Sequence, residues 1–414
     1  MNEIVKDENL ITHDDFLATS RRCHYNQFIG KFYERFADDN RVPIRLDDTG
    51  EIVYGKDPNF LRRGKRVKEC CSTWTFDFYR KSKYKHLVRV DRCNDRFCLN
   101  CQALKADQRF VQYAPLFDEF LETNDMYHVV FTVPNVNAER LRSTVTLMLD
   151  RFAYMMRFFQ GTKKVKGLDF TKYGYCGAVR SLEITVSKKD GTFHPHLHSI
   201  FVLEKDMSLP QVFWNKYSED RTGRTPMRLM SELDILFQRM WCLLILKKEV
   251  TLENIQNIGA VTGYSDGFSC RADLSNGKYH EIFKYAIKGS FKNETLFDYD
   301  NFLTLYDALY DRRCYQTYGC LSKYDFNEVD EDLGLNGIDK AFELFIEKLK
   351  WCEVPKRVDN LLGEILKESA SGDIKFISKA TFLRHFKALS EEDKRMYLEK
   401  LNDSLDNIQM EMFD

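Results

Sequence analysis

Three of the nine histidines in this 414-residue chain fall within five residues, as His194-Pro195-His196-Leu197-His198. Side chains alternate between the two faces of a β-strand, so a strand here would place all three imidazoles on one face. Residues 175–187 just upstream are rich in β-branched and aromatic side chains, and Asp190-Gly191 is a hairpin turn signal. The spacing therefore predicts an antiparallel hairpin made of strands 175–187 and 192–204.

This hairpin predicts a metal site. Imidazoles two residues apart on a strand can bind one divalent cation from the same side. Glu183 lies on the partner strand, where it alternates with apolar neighbours, and is a candidate oxygen ligand. We predict that His196, His198 and Glu183 hold Mn²⁺ or Mg²⁺, with His194 as a further ligand or as a residue that orients one. Spacing alone leaves zinc, or a purely structural role for the histidines, open.

A second cluster of potential metal ligands lies upstream. Cys93-x4-Cys98-x2-Cys101 places three thiols within nine residues of a polar segment, and Cys70 and Cys71 precede them. Structural zinc takes four nitrogen or sulfur ligands in a tetrahedron, and two of them commonly share a tight turn. We predict a structural Zn²⁺ site formed by Cys70, Cys93, Cys98 and Cys101, with Cys71 as the alternative to Cys70.

Charge is unevenly distributed along the chain. The totals nearly cancel, with 62 Lys and Arg against 63 Asp and Glu, which argues against a protein that holds nucleic acid by bulk positive charge. Residues 61–110 nevertheless carry 14 basic and 5 acidic side chains, whereas residues 325–414 carry 13 basic and 21 acidic ones. Aromatic residues between Trp74 and Tyr84 lie among the basic ones, a composition typical of nucleic-acid surfaces. Four basic residues beside the cysteines are expected to contact DNA and to lower thiol pKa values: Arg92, Arg96, Lys105 and Arg109.

Periodicity and turn residues predict a mixed chain of helices and strands. Helices are expected at 14–38, 114–122, 137–159, 227–248 and 280–288, and strands at 72–78, 86–90, 127–133, 175–187, 192–204 and 268–273. The chain beyond residue 334 is expected to be helical and polar. No apolar stretch approaches the roughly 20 residues of a spanning helix and no signal-peptide pattern opens the chain, so we expect a cytoplasmic protein without a membrane partner.

Residues 280–288 carry a third group of reactive side chains. On a helix, Glu281, Tyr285 and Lys288 share one face at i, i+4 and i+7. A phenol has a pKa of about 10, so a nucleophilic tyrosine needs nearby positive charge or a base. Lys284 and Lys288 lie within one turn of Tyr285. Such a stripe is more often a solvated surface, and its occurrence together with the histidine strand favours a catalytic role.

In chain order, these motifs resemble those of the single-tyrosine HUH endonucleases that initiate rolling-circle replication of small bacterial plasmids (Rep proteins). His196-Leu197-His198 resembles the HUH motif, Phe131-Thr132-Val133 the first motif, and Lys284-Tyr285-x-x-Lys288 the tyrosine motif. Asp311-Arg312-Arg313 followed by Tyr318-Gly319 resembles a downstream segment of the family. The resemblance covers roughly residues 65–322. Leu99 departs from it, since the family usually has proline at that position.

The resemblance implies an α+β fold with an HUH-type central antiparallel sheet and flanking helices. The implied organisation is an N-terminal helical segment (1–60), a basic cysteine-rich zinc module (61–112), a nuclease domain (113–324) and an acidic helical C-terminal segment (325–414). The zinc module thus precedes the sheet, and the helical segment follows it.

The resemblance also implies an activity. Tyr285 would nick plasmid origin DNA, presented single-stranded or as an extruded hairpin, and form a 5′-phosphotyrosyl bond. Glu281 would activate water at termination, Lys288 would position the phosphate, and Lys284 would contact DNA. A host helicase and a DNA polymerase are the implied partners. An HUH transposase or relaxase, and a zinc-containing DNA-binding protein without nuclease activity, stay open as alternatives.

Overall fold

The computed structural model describes nine stretches of the chain. These are residues 13–46, 49–187, 189–205, 216–217, 229–275, 280–283, 298–325, 339–371 and 375–411. The chain divides into two compact units, which we name by their clusters: the cysteine unit (1–112 and 329–414) and the histidine unit (113–328). Within the described residues, no helix combines the length and the apolar composition needed to cross a membrane.

The N-terminal part of the described chain alternates helices with two β-hairpins. Its elements are α1 (His13–Asp39), β1 (Val42–Leu46), β2 (Ile52–Gly55), α2 (Pro58–Glu69), β3 (Thr73–Tyr79), β4 (Tyr84–Val90) and α3 (Leu99–Thr123). Helix α2 begins where it does because the Asp57 carboxylate accepts a hydrogen bond from the Asn59 N–H and Pro58 occupies the first helical position. Helix α1 and strands β3 and β4 match their predictions to within two residues.

The histidine unit contributes the second series of elements. They are β5 (Asn124–Thr132), α4 (Ala138–Phe159), β6 (Tyr175–Val186), β7 (Phe193–Glu204), β8 (Lys216–Tyr217), β9 (Leu229–Met230), α5 (Glu232–Ile245), α6 (Leu252–Gln256), α7 (Ile258–Thr262), β10 (Cys270–Leu274), α8 (His280–Phe283), α9 (Tyr299–Leu309) and β11 (Tyr315–Gly319). The predicted hairpin is confirmed as β6 and β7, and Gly191 in its turn has φ +66°, a conformation that glycine adopts without steric cost.

Five of these strands form one antiparallel sheet in the order β10-β5-β7-β6-β11. One face of the sheet is an aromatic core, in which Phe131 lies 5.1 Å from Trp241 and Phe201 lies 4.7 Å from Phe237, measured between ring centroids. Since neighbouring residues of a strand point to opposite faces, the histidines of β7 occupy the other face. The expected α+β fold with a central antiparallel sheet is confirmed to this extent.

The C-terminal segment corrects one prediction. Its elements are α10 (Asp339–Cys352), β12 (Lys356–Leu361), α11 (Leu362–Ser371), β13 (Lys375–Ile377), α12 (Lys379–Lys387) and α13 (Glu391–Glu411). The expectation of a wholly helical segment was wrong, because β12 and β13 are the outer strands of a second sheet ordered β12-β3-β4-β13. These two strands are short, β12 is largely polar, and their inner partners lie about 280 residues upstream.

The aromatic residues of β3 and β4 belong to the interior of this second sheet. Trp74 and Phe76 are buried together with Leu362 and Phe376, and Tyr79 and Tyr84 are buried as well. The interpretation of these rings as a base-stacking surface is therefore wrong. Along β3, the buried Trp74 and Phe76 alternate with the half-buried Thr73, Thr75 and Asp77, as expected for a strand with one face on a core.

Candidate metal centres

The hairpin register brings together two histidines and a glutamate. Glu183 of β6 pairs directly with His196 of β7, and Ser181 pairs with His198. The Oε2 atom of Glu183 lies 3.5 Å from Nε2 of His196 and 3.0 Å from Nε2 of His198. The three ligand atoms lie within 4.8 Å of one another, so this histidine centre can hold a metal ion.

The environment of the histidine centre fits a cation. Glu183 is 2% exposed and His198 is 8% exposed, and a buried carboxylate needs a compensating positive charge. Nε2 of His198 is buried and has no hydrogen-bond partner among the described residues, although the carboxylate oxygen is only 3.0 Å away. A ligand set of two imidazoles and one carboxylate suits Mn²⁺ but also Zn²⁺ and Fe²⁺, so it does not define the identity of the metal.

His194 is close to the centre but is not part of it. Its imidazole is absent from the group of converging ligand atoms, whereas its backbone carbonyl lies 3.2 Å from Nδ1 of His196. Burial, and next the neighbouring His196, lower the pKa of the His194 imidazole. The imidazole of His194 is thus not among the converging ligand atoms, and its role in orienting a ligand stays a prediction.

His128 lies next to the centre and was missed by the sequence reasoning. Its Nε2 atom is 3.2 Å from Nδ1 of His198, and the two rings stack with an interplanar angle of 8°. His128 belongs to β5, which pairs with the edge of β7 opposite to β6. The alternation of the 127–133 strand is visible in the sequence, but the pairing that places His128 beside His198 is not.

The segment that carries the candidate nucleophile begins on the same face of the sheet. Tyr285, Lys284 and Lys288 lie outside the described residues, as does the side chain of Glu281. The carbonyl of Phe283, at the described end of α8, accepts a 2.9 Å hydrogen bond from the Tyr315 hydroxyl. Tyr315 pairs with Ser181, which shares a face with Glu183 two residues further on. The chain two residues before Tyr285 is thus attached on the face that bears the ligands.

Four cysteines form a second centre, in the cysteine unit. The sulfur atoms of Cys70, Cys93, Cys98 and Cys101 are buried and lie within 4.8 Å of one another, whereas Cys71 does not join this group. Sγ of Cys101 is 3.5 Å from Sγ of Cys70 and 3.7 Å from Sγ of Cys93. Four sulfurs held at about 2.3 Å from one tetrahedral ion lie about 3.8 Å apart. The spacing of this cysteine centre therefore suits a metal ion.

Hydrogen bonds among the thiols of the cysteine centre shift their pKa values in opposite directions. Hydrogen bonds from Cys70, Cys93 and Cys98 lower the pKa of Cys101, and the same hydrogen bonds raise the pKa of Cys70 and Cys93. The neighbouring thiols, rather than the flanking arginines, dominate these shifts. Binding of a cation would release the remaining protons.

Polar side chains hold the loop around the cysteine centre in place. The Asn26 amide donates to the sulfur of Cys98 at 3.2 Å and accepts from the Leu99 N–H at 3.1 Å. Asp95 accepts from the Tyr33 hydroxyl and from Arg63, each at 2.9 Å. Proline has no N–H, so leucine at position 99 permits a contact that the proline usual in the family could not make. Sequence spacing gave no indication of Asn26, which lies 72 residues before Cys98.

The basic residues predicted to contact DNA differ in accessibility. Arg96 is exposed, Arg92 and Lys105 are half-buried, and Arg109 is 6% exposed. Arg109 thus offers little surface to a phosphate. Lys284 lies outside the described residues.

The fold and the two centres define an α+β protein with a potential metal site in each of its two units. Residues 84–211 match the Replication protein family (Rep_1). A protein named "Protein rep" from Bacillus amyloliquefaciens is 26% identical over 154 residues, which are 36% of this chain and 42% of the relative. A second "Protein rep", from Streptococcus pneumoniae serotype 2, is 25% identical over 162 residues, which are 38% of this chain and 47% of the relative. The chain thus spans about half the length of the curated relatives it matches. No solved structure matches it.

These matches confirm the resemblance to the Rep family of plasmid replication initiators. The matching region contains the whole histidine centre and three of the four cysteines of the cysteine centre. Cys70 lies before it and Tyr285 after it.

Proposed function

We propose that this protein initiates rolling-circle replication of a plasmid by metal-dependent, site-specific nicking of one DNA strand at the origin. The observation that carries the proposal is the convergence of Glu183, His196 and His198 on one face of a central antiparallel sheet. The attachment of Phe283 on that face supports it, because Phe283 precedes Tyr285 by only two residues in the sequence.

In the proposed reaction, the phenol oxygen of Tyr285 bonds to the scissile phosphorus and the bond to the 3′ oxygen breaks. The products are a 5′-phosphotyrosyl linkage and a free 3′-OH, and in sum the proton of the phenol ends on the 3′ oxygen. Lys284 contacts the DNA strand, and Lys288 positions the phosphate for attack. Glu183, His196 and His198 would hold a Mn²⁺ or Mg²⁺ ion, which would supply Lewis-acid stabilisation of the charge that develops on the phosphate.

Termination requires the tyrosyl linkage to be resolved. In strand transfer, a 3′-OH displaces the phenol of Tyr285 and closes the DNA strand. In release, Glu281 accepts a proton from a water molecule, whose oxygen bonds to phosphorus as the bond to the tyrosyl oxygen breaks. The cysteine centre holds a structural Zn²⁺ in this proposal, and the substrate is plasmid origin DNA in single-stranded or extruded-hairpin form. A host helicase and a DNA polymerase then use the free 3′-OH.

Mapping of a covalent adduct tests the proposal. The full chain is incubated with single-stranded origin oligonucleotide and Mn²⁺, and the DNA-linked peptide is identified by mass spectrometry. We expect an adduct on Tyr285, its loss in Tyr285→Phe, and adduct formation with slower hydrolytic release in Glu281→Ala. An adduct yield in Tyr285→Phe equal to that of the wild type, or no adduct at all with Mn²⁺ or Mg²⁺, would refute the nicking mechanism.

A further inference from the structure

A side-chain amide from helix α1 lies beside the cysteine centre. Asn26 is fully buried, its Nδ2 atom lies 3.2 Å from Sγ of Cys98, and its Oδ1 atom accepts from the N–H of Leu99 at 3.1 Å. Because a backbone N–H can only donate, the oxygen of the amide must face Leu99. The NH₂ group of Asn26 is therefore fixed toward the sulfur of Cys98.

A donor in this position favours one state of the sulfur. A sulfur that binds a metal ion is a thiolate, which has no proton and only accepts hydrogen bonds. Hydrogen bonds to an ionised acceptor are about twice as strong as those between neutral groups, whereas a neutral thiol is a weak acceptor. The buried N–H of Asn26 thus interacts more strongly with Cys98 when the centre holds a metal ion, and it stabilises the loaded state.

The origin of this donor distinguishes it from the local donors of the loop. The backbone N–H of Asp95 lies 3.4 Å from Sγ of Cys93, but it belongs to the same turn as that cysteine. Asn26 comes from a helix 72 residues before Cys98, outside residues 84–211 that match the Replication protein family. Helix α1 is therefore part of the cysteine centre, although none of the four ligands comes from it.

We propose that Asn26 is a positioning residue of the cysteine centre, and that its hydrogen bond to the Cys98 sulfur increases the affinity of the centre for its metal ion. The same bond withdraws electron density from the sulfur. The bond to Leu99 holds the amide in place, and the bond to Cys98 acts on the metal site. This inference rests on the cysteine centre of the proposed function and does not depend on nicking by Tyr285.

Titration of the metal-free full chain with Co²⁺ tests this inference. The sulfur-to-Co²⁺ charge-transfer absorption reports the cysteine centre alone, because histidine and glutamate ligands do not give this band. Asn26→Leu replaces the amide by an apolar side chain of similar shape. We expect it to bind Co²⁺ about 10- to 100-fold more weakly, the usual cost of losing the partner of a ligand. We also expect its band to move to longer wavelength, which a loss of loop order alone would not cause.

The variant Leu99→Pro separates the two hydrogen bonds of the amide. Leu99 is the first residue of α3, a position that accepts proline, and the substitution removes its N–H while leaving the bond from Asn26 to Cys98. We expect the wild-type band in Leu99→Pro, and in Asn26→Leu/Leu99→Pro the same shift as in Asn26→Leu. A shifted band in Leu99→Pro would overturn the inference even if Asn26→Leu did not fold, because Asn26 would then act only through the loop.

A matched control removes the same kind of bond from a cysteine outside the group of four. Asn100 is buried, and its Nδ2 atom donates to Sγ of Cys23 at 3.2 Å. Asn100→Leu should keep the wild-type band and bind Co²⁺ within about twofold of wild type, because Cys23 is not among the ligands. Equal losses in Asn26→Leu and Asn100→Leu, or an unchanged affinity and band in Asn26→Leu, would overturn the inference. A wild-type chain without the sulfur-to-Co²⁺ band would overturn the cysteine centre as well, whereas the Tyr285 adduct tests nicking separately.

Discussion

His128 and His198 form a stacked pair in which one ring can determine how the other binds a metal. If His198 coordinates through Nε2, which faces Glu183, its proton must be on Nδ1. That proton then points to Nε2 of His128, 3.2 Å away. Hydrogen-bond partners of this kind orient metal-binding histidines and increase their basicity. His128 is therefore a positioning residue for the histidine centre.

The variant His128→Phe tests this role. It keeps an aromatic ring beside His198 and removes the acceptor, so we expect Mn²⁺ to bind about 10- to 100-fold more weakly, the usual cost of losing such a partner. Electron paramagnetic resonance of free Mn²⁺ during titration measures the change. His86→Phe, which alters a histidine of the other sheet, should bind Mn²⁺ like wild type. Equal Mn²⁺ affinity in His128→Phe and wild type would rule out the positioning role.

The burial of His86 predicts that the stability of the protein depends on pH. Its Nδ1 is buried with no hydrogen-bond partner among the described residues, and burial lowers its pKa from the ordinary value. The charged groups facing it are Asp77, which opposes this shift, and Lys350 and Arg357, which add to it. The folded protein therefore takes up a proton on His86 less readily than the unfolded chain does. The neutral imidazole thus contributes to the stability of the folded state. This contribution is complete above about pH 6.5 and is lost as the pH falls toward the pKa of His86 in the folded protein.

We expect the free energy of unfolding to fall more between pH 7.5 and pH 5.5 in the wild type than in His86→Phe. Denaturant unfolding at the two pH values measures this difference, and the variant without the imidazole provides the baseline for all other titrating groups. Equal losses in the two proteins would mean that His86 titrates as it does in the unfolded chain.

At the scale of elements, the crossing of α1 and α2 depends on two glycines. A Cβ on Gly64 would lie 2.8 Å from the Gly30 carbonyl oxygen, so a methyl group there must push the helices apart. We expect Gly64→Ala to lower the free energy of unfolding by about 1–3 kcal/mol, the range for overpacked sites.

Gly363→Ala in α11 is the matched control, because a Cβ there would meet no atom within 4 Å. We expect its stability to be unchanged or raised by up to about 1 kcal/mol. Denaturant titration of both variants gives the comparison. If the two substitutions had the same effect, close contact between the helices would not be the reason for glycine at position 64.

Elements with a local signal were predictable from the sequence. Long apolar periodicity marked α4, and the Asp190-Gly191 turn fixed the register that places Glu183 opposite His196. In contrast, α2 carries few apolar residues, and its position depends on Gly30 and on the Arg63–Asp95 ion pair. His128 depends on strand order across the sheet. Such long-range pairings leave no periodicity in a single sequence.

At the scale of the whole molecule, the acidic C-terminal segment completes a sheet that begins near the N-terminus. β12 pairs with β3, and β13 pairs with β4. Phe376 of β13 and Leu362 pack on Trp74 and Phe76. The excess of acidic residues favoured a separate segment at 325–414. The charge count, however, describes mainly the side chains that face solvent, not the buried ones that join strands. The apolar residues that join the two ends of the chain are few and widely spaced.

Truncation after residue 328 should therefore unfold the cysteine unit and spare the histidine unit. The shortened chain lacks both outer strands, and Trp74 and Phe76 lose their cover, so we expect binding of a hydrophobic dye and loss of one calorimetric transition. Mn²⁺ affinity should stay within about twofold of wild type, because Glu183, His196 and His198 all lie in residues 113–328.

The point variant Phe376→Ala probes the same cluster without deleting any chain. It should lower the free energy of unfolding of the cysteine unit alone, by about 3–5 kcal/mol, the usual cost of removing a buried phenylalanine. Persistence of both transitions in the truncated chain at their original temperatures would show that residues 329–414 fold as a separate domain. In that case the sheet formed by β3 and β4 would not need its outer strands for stability.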